Sequence, residues 1–295
     1  MGLDSQTTGG RWIDLLSFEW TKLKGRRITW VPFIVLIIVV QIIIAAFYKI
    51  QFQPFLVLLK KAGLPIQSKS DFVNGYFVAA HGMNPTFQFL LPIFIAVASG
   101  LMIAGEAEQG TLRACLIRPL SRRRLILSKF LILLVYSWLL SIFLLTMLLI
   151  FGRLNFGHGN LYTLNALFNN GQIGASMIPE EEVPARFVVA SLISTFGMGV
   201  LASLALLISS LVETAAMAYV ITLSIYFAEL VLRLFPMLDW LYPYLFVTHM
   251  TRWQQCFSDH VPWGEVYVSM VHLGAYMLAF LSAAILLFEE RDIKS

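Results

Sequence analysis

Residues 105–130 read GEAEQGTLRACLIRPLSRRRLILSKF. This stretch, called the central connection below, holds two glutamates, a Gly-Thr pair, a proline and six basic residues between two long apolar runs. The chain as a whole has 295 residues, of which 58% are hydrophobic and 13% are charged. Because charge is scarce elsewhere, its concentration here indicates a connection exposed to water between two membrane spans.

The apolar runs on either side predict the fold class. The mean hydropathy of +0.77 is far above that of a soluble domain. A hydrocarbon core of about 30 Å needs roughly 20 apolar residues to cross it. The sequence therefore predicts an all-α integral membrane protein, with one transmembrane domain over residues 1–295 and six spans. We expect these spans at about 28–48, 86–104, 125–151, 187–211, 214–233 and 266–288.

The distribution of basic residues predicts the orientation. If the N-terminus is cytosolic, the cytosolic segments hold thirteen of the 21 Lys and Arg residues, and the remaining eight are matched by eight acids outside. Both termini are therefore predicted to be cytosolic. The basic residues flank spans rather than forming a separate patch, so we expect membrane lipid as a partner and no nucleic acid.

Residues 11–25 form a separate pattern. Trp12, Leu16 and Leu23 recur at helical spacing and predict an amphipathic helix lying in the cytosolic interface. Glu19 falls within the same apolar stripe. Two interpretations follow: the Glu19 carboxylate snorkels to water, or it faces a basic partner in the same protein or in a subunit docked below.

Within the central connection, Thr111 is predicted to be a helix N-cap, and Pro119 cannot continue a helix. One short helix of about two turns is predicted between them. Ser121 is placed to cap the third span. Such a helix, presented to the cytosol, is typical of a docking element, whereas the arginines alone would also fit a loop that only fixes topology.

The central connection resembles that of the ABC-2 type permeases, the membrane subunits of ATP-binding-cassette transporters. Their cytosolic connection reads Glu-x-Glu-x-Gly-Thr-Leu, then Pro-[Leu/Val]-Ser-Arg, then a lysine opening the third span. The matching residues are Glu106, Glu108, Gly110, Thr111, Leu112, Pro119, Leu120, Ser121, Arg122 and Lys129. The entry helix is similar to the family's Glu-x-x-Lys-Leu pattern through Glu19, Lys22 and Leu23, and FEERDI resembles its charged tail.

The resemblance implies a permease dimer, homomeric or heteromeric, with two ATPase subunits docked on a coupling helix at 111–118. It also implies export across a prokaryotic plasma membrane, and outer re-entrant helices within 234–265. The residues expected to couple to the ATPase are Glu106, Glu108, Gly110, Thr111, Leu112, Arg113, Leu116, Arg118, Pro119, Ser121 and Arg122. A second cytosolic contact is expected at Ser210 and Glu213, and the entry helix contributes Glu19 and Lys22.

The chain lacks a Gly-x-x-x-x-Gly-Lys-[Ser/Thr] loop, so ATP and Mg²⁺ are expected on the partner ATPase. No catalytic residue, cofactor or metal is expected in this chain. Two alternatives stay open: a membrane-embedded enzyme with an extracytosolic site, and a stand-alone secondary transporter. The first lacks a Ser–His–Asp or His-Glu-x-x-His arrangement, and the second lacks matched mid-membrane charges or helix breakers.

Glu229 and Arg233 lie four residues apart on one helix face near the outer end of the fifth span. They are a candidate outer gate, and the alternative is a plain ion pair between them. The transported substrate is not encoded in any motif. Apolar spans without buried charges favour an amphipathic or lipid-like cargo over a small hydrophilic ion.

Overall fold

A computed structural model describes residues 12–49, 72–110, 121–164 and 175–290. Within these ranges six helical segments are long and apolar enough to cross a membrane. This number agrees with the six predicted spans. Spans 1 to 6 are Arg27–Lys49, Gly75–Met102, Arg122–Phe156, Val183–Leu211, Ala215–Leu232 and Trp263–Glu289.

The α-helices of the described residues, in chain order, are α1 Trp12–Gly25, α2 Val31–Lys49, α3 Gly75–Pro85, α4 Leu91–Met102, α5 Ala104–Glu108, α6 Arg122–Phe156, α7 Val183–Leu211, α8 Ala215–Leu232, α9 Phe246–Met250 and α10 Trp263–Glu290. Short 3₁₀ segments lie at Arg27–Thr29, Pro236–Tyr244 and Thr251–Phe257, and a π-helical turn lies at Thr86–Leu90. Span 2 consists of α3, the π turn and α4.

Span 4 is the centre of the bundle. Its apolar window is 78% buried, whereas that of span 1 is 22% buried. Small residues allow its neighbours to come close: a Cβ at Gly199 would lie 2.8 Å from the side chains of Leu134 and Met277. This agrees with the role of small residues in helix packing within lipid, where apolar burial alone gives little driving force.

Span 2 begins at Gly75, well before the predicted start at 86. The Asn74 side chain caps α3 by accepting from the Phe77 N–H at 3.0 Å. Gly75 packs directly on span 3, since its Cβ would lie 2.7 Å from the Gly152 backbone. The first half of this span carries His81 among other polar residues, which lower its hydropathy below that of a typical span. Close packing and capping stabilise the helix there, so hydropathy alone placed its start too late.

The connection between spans 3 and 4 contains a β-hairpin, which the all-α prediction did not include. Strands β1 (Leu161–Leu164) and β2 (Ala175–Ile178) pair antiparallel, with Leu161 opposite Ile178. The Thr163 hydroxyl donates to the Phe257 carbonyl at 2.8 Å. The hairpin is thus attached to the connection between spans 5 and 6.

Helix α1 lies at the end of the bundle where span 3 begins and span 6 ends. Trp12 lies beside Arg124, with the guanidinium carbon 5.9 Å from the indole ring centre. The Arg122 guanidinium donates to the Phe288 and Glu289 carbonyls at 2.8 and 3.0 Å. We call this end the N side, which is the side predicted to be cytosolic, and the opposite end the far side.

Candidate functional site

Five charged side chains converge on the N side. Lys129 Nζ lies 2.9 Å from Glu19 Oε2 and 2.9 Å from Glu106 Oε1. The same Glu106 oxygen lies 2.8 Å from Lys22 Nζ and 3.4 Å from Arg26 Nη2. These five residues are called the charge cluster below. One carboxylate oxygen of Glu106 is therefore shared by three cationic groups.

The cluster joins three elements that are distant in sequence. Glu19, Lys22 and Arg26 come from α1 and the turn after it, Glu106 from α5, and Lys129 from the N-side part of α6. Glu106 and Lys129 have no exposed surface, and Glu19 is 1% exposed. Removing charges from water is costly unless they are paired, so each of these groups is stable only in the presence of its partners.

The position of Glu19 decides between its two interpretations. Its α1 neighbours Leu15 and Leu23 are buried with it, and its carboxylate binds Lys129 of the same chain. Snorkelling to water is therefore wrong, and a basic partner within the protein is confirmed. Lys129 matched the family motif, but its pairing with a residue 110 positions earlier has no local sequence signal.

Arg26 also closes the N-side end of span 2. Its Nη1 donates to the Leu101 carbonyl at 2.8 Å. Carbonyls in the last turn of a helix lack an intrahelical donor, and a cation there also complements the helix dipole. Arg26 was not among the predicted site residues, although it directly follows the entry helix.

The helical backbone breaks at Ile103, directly after span 2 and between α4 and α5. Ile103 has φ −118° and ψ −63°, and the Ala104 N–H donates to Ser209 Oγ of span 4 at 2.7 Å. The Ser209 hydroxyl in turn donates to the Gly100 carbonyl at 3.2 Å. Residues 100 and 104 would bond directly in a regular helix. The Ser209 hydroxyl is inserted into that bond, and such an insertion is a known cause of helix kinks.

Helix α5 also contacts span 5. The Glu108 carboxylate accepts from the Ala215 N–H, the first residue of α8, at 3.2 Å. Helix N-termini carry unpaired N–H groups and partial positive charge, so a carboxylate stabilises them. The two glutamates of the Glu-x-Glu motif thus point to different partners: Glu106 to α1 and α6, and Glu108 to α8.

Ser209→Ala is expected to destabilise the protein by about 1–3 kcal/mol, because a buried bridge between two backbone groups is lost. Ser203→Ala is the matched control. Both side chains have no exposed surface, but the Ser203 hydroxyl donates only to Val200 of its own helix. We expect faster amide exchange at Ala104 in Ser209→Ala alone, measured by mass spectrometry. Equal exchange in the two variants would contradict this role.

The remaining predicted coupling residues are distributed unevenly. Ser121 caps α6 as predicted, accepting from the Arg124 N–H at 3.4 Å. Ser210 donates to Leu207 of its own helix at 2.7 Å, and Glu213 is exposed. A hydrogen bond from span 4 to span 2 is made by the neighbouring Ser209, whose hydroxyl donates to the Gly100 carbonyl. Gly110 has φ +70° at the end of the described segment. Thr111, Leu112, Arg113, Leu116, Arg118 and Pro119, with the predicted 111–118 helix, lie outside the described residues.

The predicted outer gate is arranged differently from an ion pair. Within the described residues no ion pair joins Glu229 and Arg233, and each binds the connection between spans 5 and 6. Glu229 accepts from the Val247 N–H of α9 at 3.1 Å, and Arg233 donates to Thr251 Oγ1 at 3.1 Å. The ion-pair interpretation is wrong, because the two side chains form hydrogen bonds with α9 and with the 3₁₀ segment after it instead of with each other.

Two histidines stack beside this connection. The ring centres of His249 and His272 lie 4.5 Å apart with an interplanar angle of 9°. His249 Nδ1 lies 3.1 Å from Ser269 Oγ, and Nε2 lies 3.0 Å from the Pro243 carbonyl oxygen. Both ring nitrogens are thus engaged by the protein.

Burial lowers the pKa of His249 below its ordinary value of 6.5, partly countered by a backbone hydrogen bond, and nearby His272, Arg252 and Arg233 lower the pKa further. The unfolded chain therefore binds a proton that the folded ring resists. Stability is expected to be full above about pH 6.5 and to fall as the pH decreases below it. The measurement is the melting temperature at about pH 7.5 and at lower pH. The decrease in melting temperature on acidification should be smaller in His249→Gln than in the wild type, and unchanged in His158→Gln, whose side chain is exposed. A decrease of the same size in His249→Gln and the wild type would refute the assignment to His249.

No group of three or more His, Cys, Asp and Glu side chains within the described ranges is arranged to hold a metal ion. Cys256 is buried, and desolvation raises the pKa of its thiol to about 11. A protonated thiol is a poor nucleophile.

Comparisons with known proteins agree with this architecture. Residues 15–229 match the family described as ABC-2 family transporter protein, and the chain belongs to that family. It is therefore an ABC transporter permease, a multi-pass transporter subunit rather than an enzyme. The chain is also similar to "Uncharacterized protein YhcI" of Bacillus subtilis (strain 168), with 23% identity over 226 residues, covering 75% of this chain and 70% of the relative.

Proposed function

We propose that this chain forms, as a dimer, the translocation path of an ABC exporter, and that a separate ATPase subunit docks on the 111–118 segment from the N side. The observation that carries the proposal is the attachment of both flanks of this segment. Before it, Glu106 of α5 enters the charge cluster; after it, Lys129 of α6 enters the same cluster. Any displacement of the segment therefore acts on two spans and α1 together.

The contacts of α5 give the movement a route into the bundle. Glu106 connects α5 to α1 and α6, and Glu108 connects it to the first residue of span 5. Ser209 connects the kink before α5 to span 4. A push on the 111–118 segment is transmitted to spans 3, 4 and 5 through short polar contacts, and the break at Ile103 lets α5 move relative to span 2.

The dimer proposal is supported by the exposed apolar surface. The apolar windows of spans 1, 5 and 6 are 22%, 22% and 28% buried. Exposed side chains include Ile38, Val220 and Leu278, at 54%, 54% and 69% exposure. These faces are available to lipid and to a second permease chain, identical or related. Among the six spans, span 4 is the most completely enclosed.

The basic N side supports a cytosolic location of both termini in a prokaryotic plasma membrane. The relative from a bacterium is consistent with that host. ATP and Mg²⁺ belong to the partner, because this chain carries no phosphate-binding loop.

The test is co-purification of the tagged chain from its host in mild detergent. We expect an ATPase with a nucleotide-binding loop to co-elute, and Arg118→Glu with Pro119→Ala to abolish its binding. Arg124→Glu is the matched control, since it reverses an exposed charge outside the 111–118 segment. A chain that elutes alone in several detergents and after cross-linking would refute the proposal.

A further inference from the structure

An apolar groove of about 480 Å³ opens on the N side between α1, the start of span 1 and span 3. We call it the N-side groove. Its walls include Trp20 of α1, Phe33 of α2, and Tyr136 and Phe143 of α6. The volume lies within the range of about 300–1,000 Å³ that is typical of small-molecule sites. It is separate from the charge cluster and from the far-side contacts described above.

The walls of the groove are apolar and largely aromatic. The rings of Phe33 and Phe143 meet edge to face at 5.1 Å, and those of Phe33 and Tyr136 at 6.3 Å. The polar atoms at its N-side end are already paired: the Tyr136 hydroxyl donates to the Thr29 carbonyl at 2.9 Å, and Trp30 Nε1 donates to the Lys24 carbonyl at 3.0 Å. An occupant therefore needs an apolar body, since these groups offer no free hydrogen bond to it.

The rim of the groove carries positive charge. Lys24 lines the opening, and Arg27 begins the short 3₁₀ segment whose Thr29 also lines the groove; the side chains of Lys24 and Arg27 are exposed. In the part of the chain that the structure describes, neither side chain takes part in an ion pair. Trp30, which is 48% exposed, lies at the same level. A tryptophan beside lysine and arginine at the start of a span is typical of the lipid headgroup region.

We propose that the N-side groove binds one anionic phospholipid of the adjacent leaflet. An acyl chain lies against Phe33 and Phe143, and the headgroup phosphate lies between Lys24 and Arg27. A zwitterionic lipid offers the same acyl chain but no net negative charge for two basic side chains. The charge complementarity at the rim therefore selects an anionic headgroup, in the manner of other basic segments next to a span. This inference does not depend on the proposed transport function.

The experiment measures lipid retained by the purified chain after reconstitution in nanodiscs of phosphatidylglycerol or phosphatidylcholine, followed by native mass spectrometry. We expect retention of one phosphatidylglycerol and about thirtyfold less phosphatidylcholine, as two basic contacts imply. Lys24→Gln with Arg27→Gln should abolish this preference. Phe143→Trp should reduce retention of both lipids by filling the groove.

Lys49→Gln is the matched control, because it removes an exposed cation at the far-side end of the same span. Equal retention of the two lipids, or an unchanged preference in the Lys24→Gln, Arg27→Gln variant, would overturn the headgroup assignment. Unchanged retention in Phe143→Trp would overturn the location. Cross-linking between two chains through Phe143→Cys would show that a second copy covers the groove instead. Phe143→Trp and Phe143→Cys are compared only where they elute as the wild type does.

Discussion

Lys129→Met is expected to destabilise the protein by about 3–5 kcal/mol. The methionine fills a similar volume but leaves the Glu19 and Glu106 carboxylates, which are 1% and 0% exposed, without their shared cation. An uncompensated buried charge costs far more than the intact cluster contributes. The measurement is the melting temperature in detergent, followed by size-exclusion chromatography.

Two further variants test the cause. Lys24→Met removes an exposed lysine of the same helix that contributes Glu19, and we expect little change in melting temperature. Glu106 keeps Lys22 and Arg26 in Lys129→Met, so Glu19 is the carboxylate left without a cation. Glu19→Gln combined with Lys129→Met removes that charge and should therefore melt higher than Lys129→Met alone. A double variant no more stable than the single one would show that the loss of packing, rather than of charge, is responsible.

The second prediction compares the two glutamates of the Glu-x-Glu motif. Glu106→Ala is expected to cost about 3–5 kcal/mol, because Lys22, Arg26 and Lys129 all lose their common oxygen. Glu108→Ala should cost about 1 kcal/mol, the usual value of a helix N-terminal contact, since its side chain is exposed and binds one backbone N–H.

Thermal melting of the two variants in the same detergent gives the comparison, and co-elution of the ATPase gives a second readout. Glu108 connects α5 to span 5, so Glu108→Ala should leave the ATPase bound. We expect the permease carrying Glu108→Ala to stimulate ATP hydrolysis by that ATPase less than the wild-type permease does. Equal melting temperatures for Glu106→Ala and Glu108→Ala would show that the charge cluster adds nothing beyond an ordinary cap.

The sequence was sufficient for the features that depend on local pattern. Six apolar runs predicted six spans, because crossing a hydrocarbon core sets a minimum length that composition reveals directly. The position of Glu19 within an apolar stripe marked it as unusual but left two interpretations open, and only the contact with Lys129 decides between them. Ser121 was recognised as a cap because capping is decided by residues three positions apart.

The features that sequence reasoning missed depend on packing between distant segments. Lys129 pairs with a residue 110 positions earlier, and Ser209 bonds to a backbone group 105 positions earlier. Ser209 resembles Ser203 and Ser210 in sequence, and only the kink at Ile103 gives it a partner. The start of span 2 was missed because Gly75 and its neighbours are stabilised by contact with Gly152 rather than by hydropathy.

The charge cluster also bears on how the chain is made. Its members appear during synthesis in the order Glu19, Lys22, Arg26, Glu106 and Lys129. Chains emerge from the ribosome N-terminus first, so both carboxylates precede the lysine that becomes completely buried. When the third span reaches the membrane, the two carboxylates that bind its buried Lys129, those of Glu19 and Glu106, have already been synthesised. We expect Lys129 to pair with both carboxylates as the third span inserts, which would join α1 to span 3 at that step.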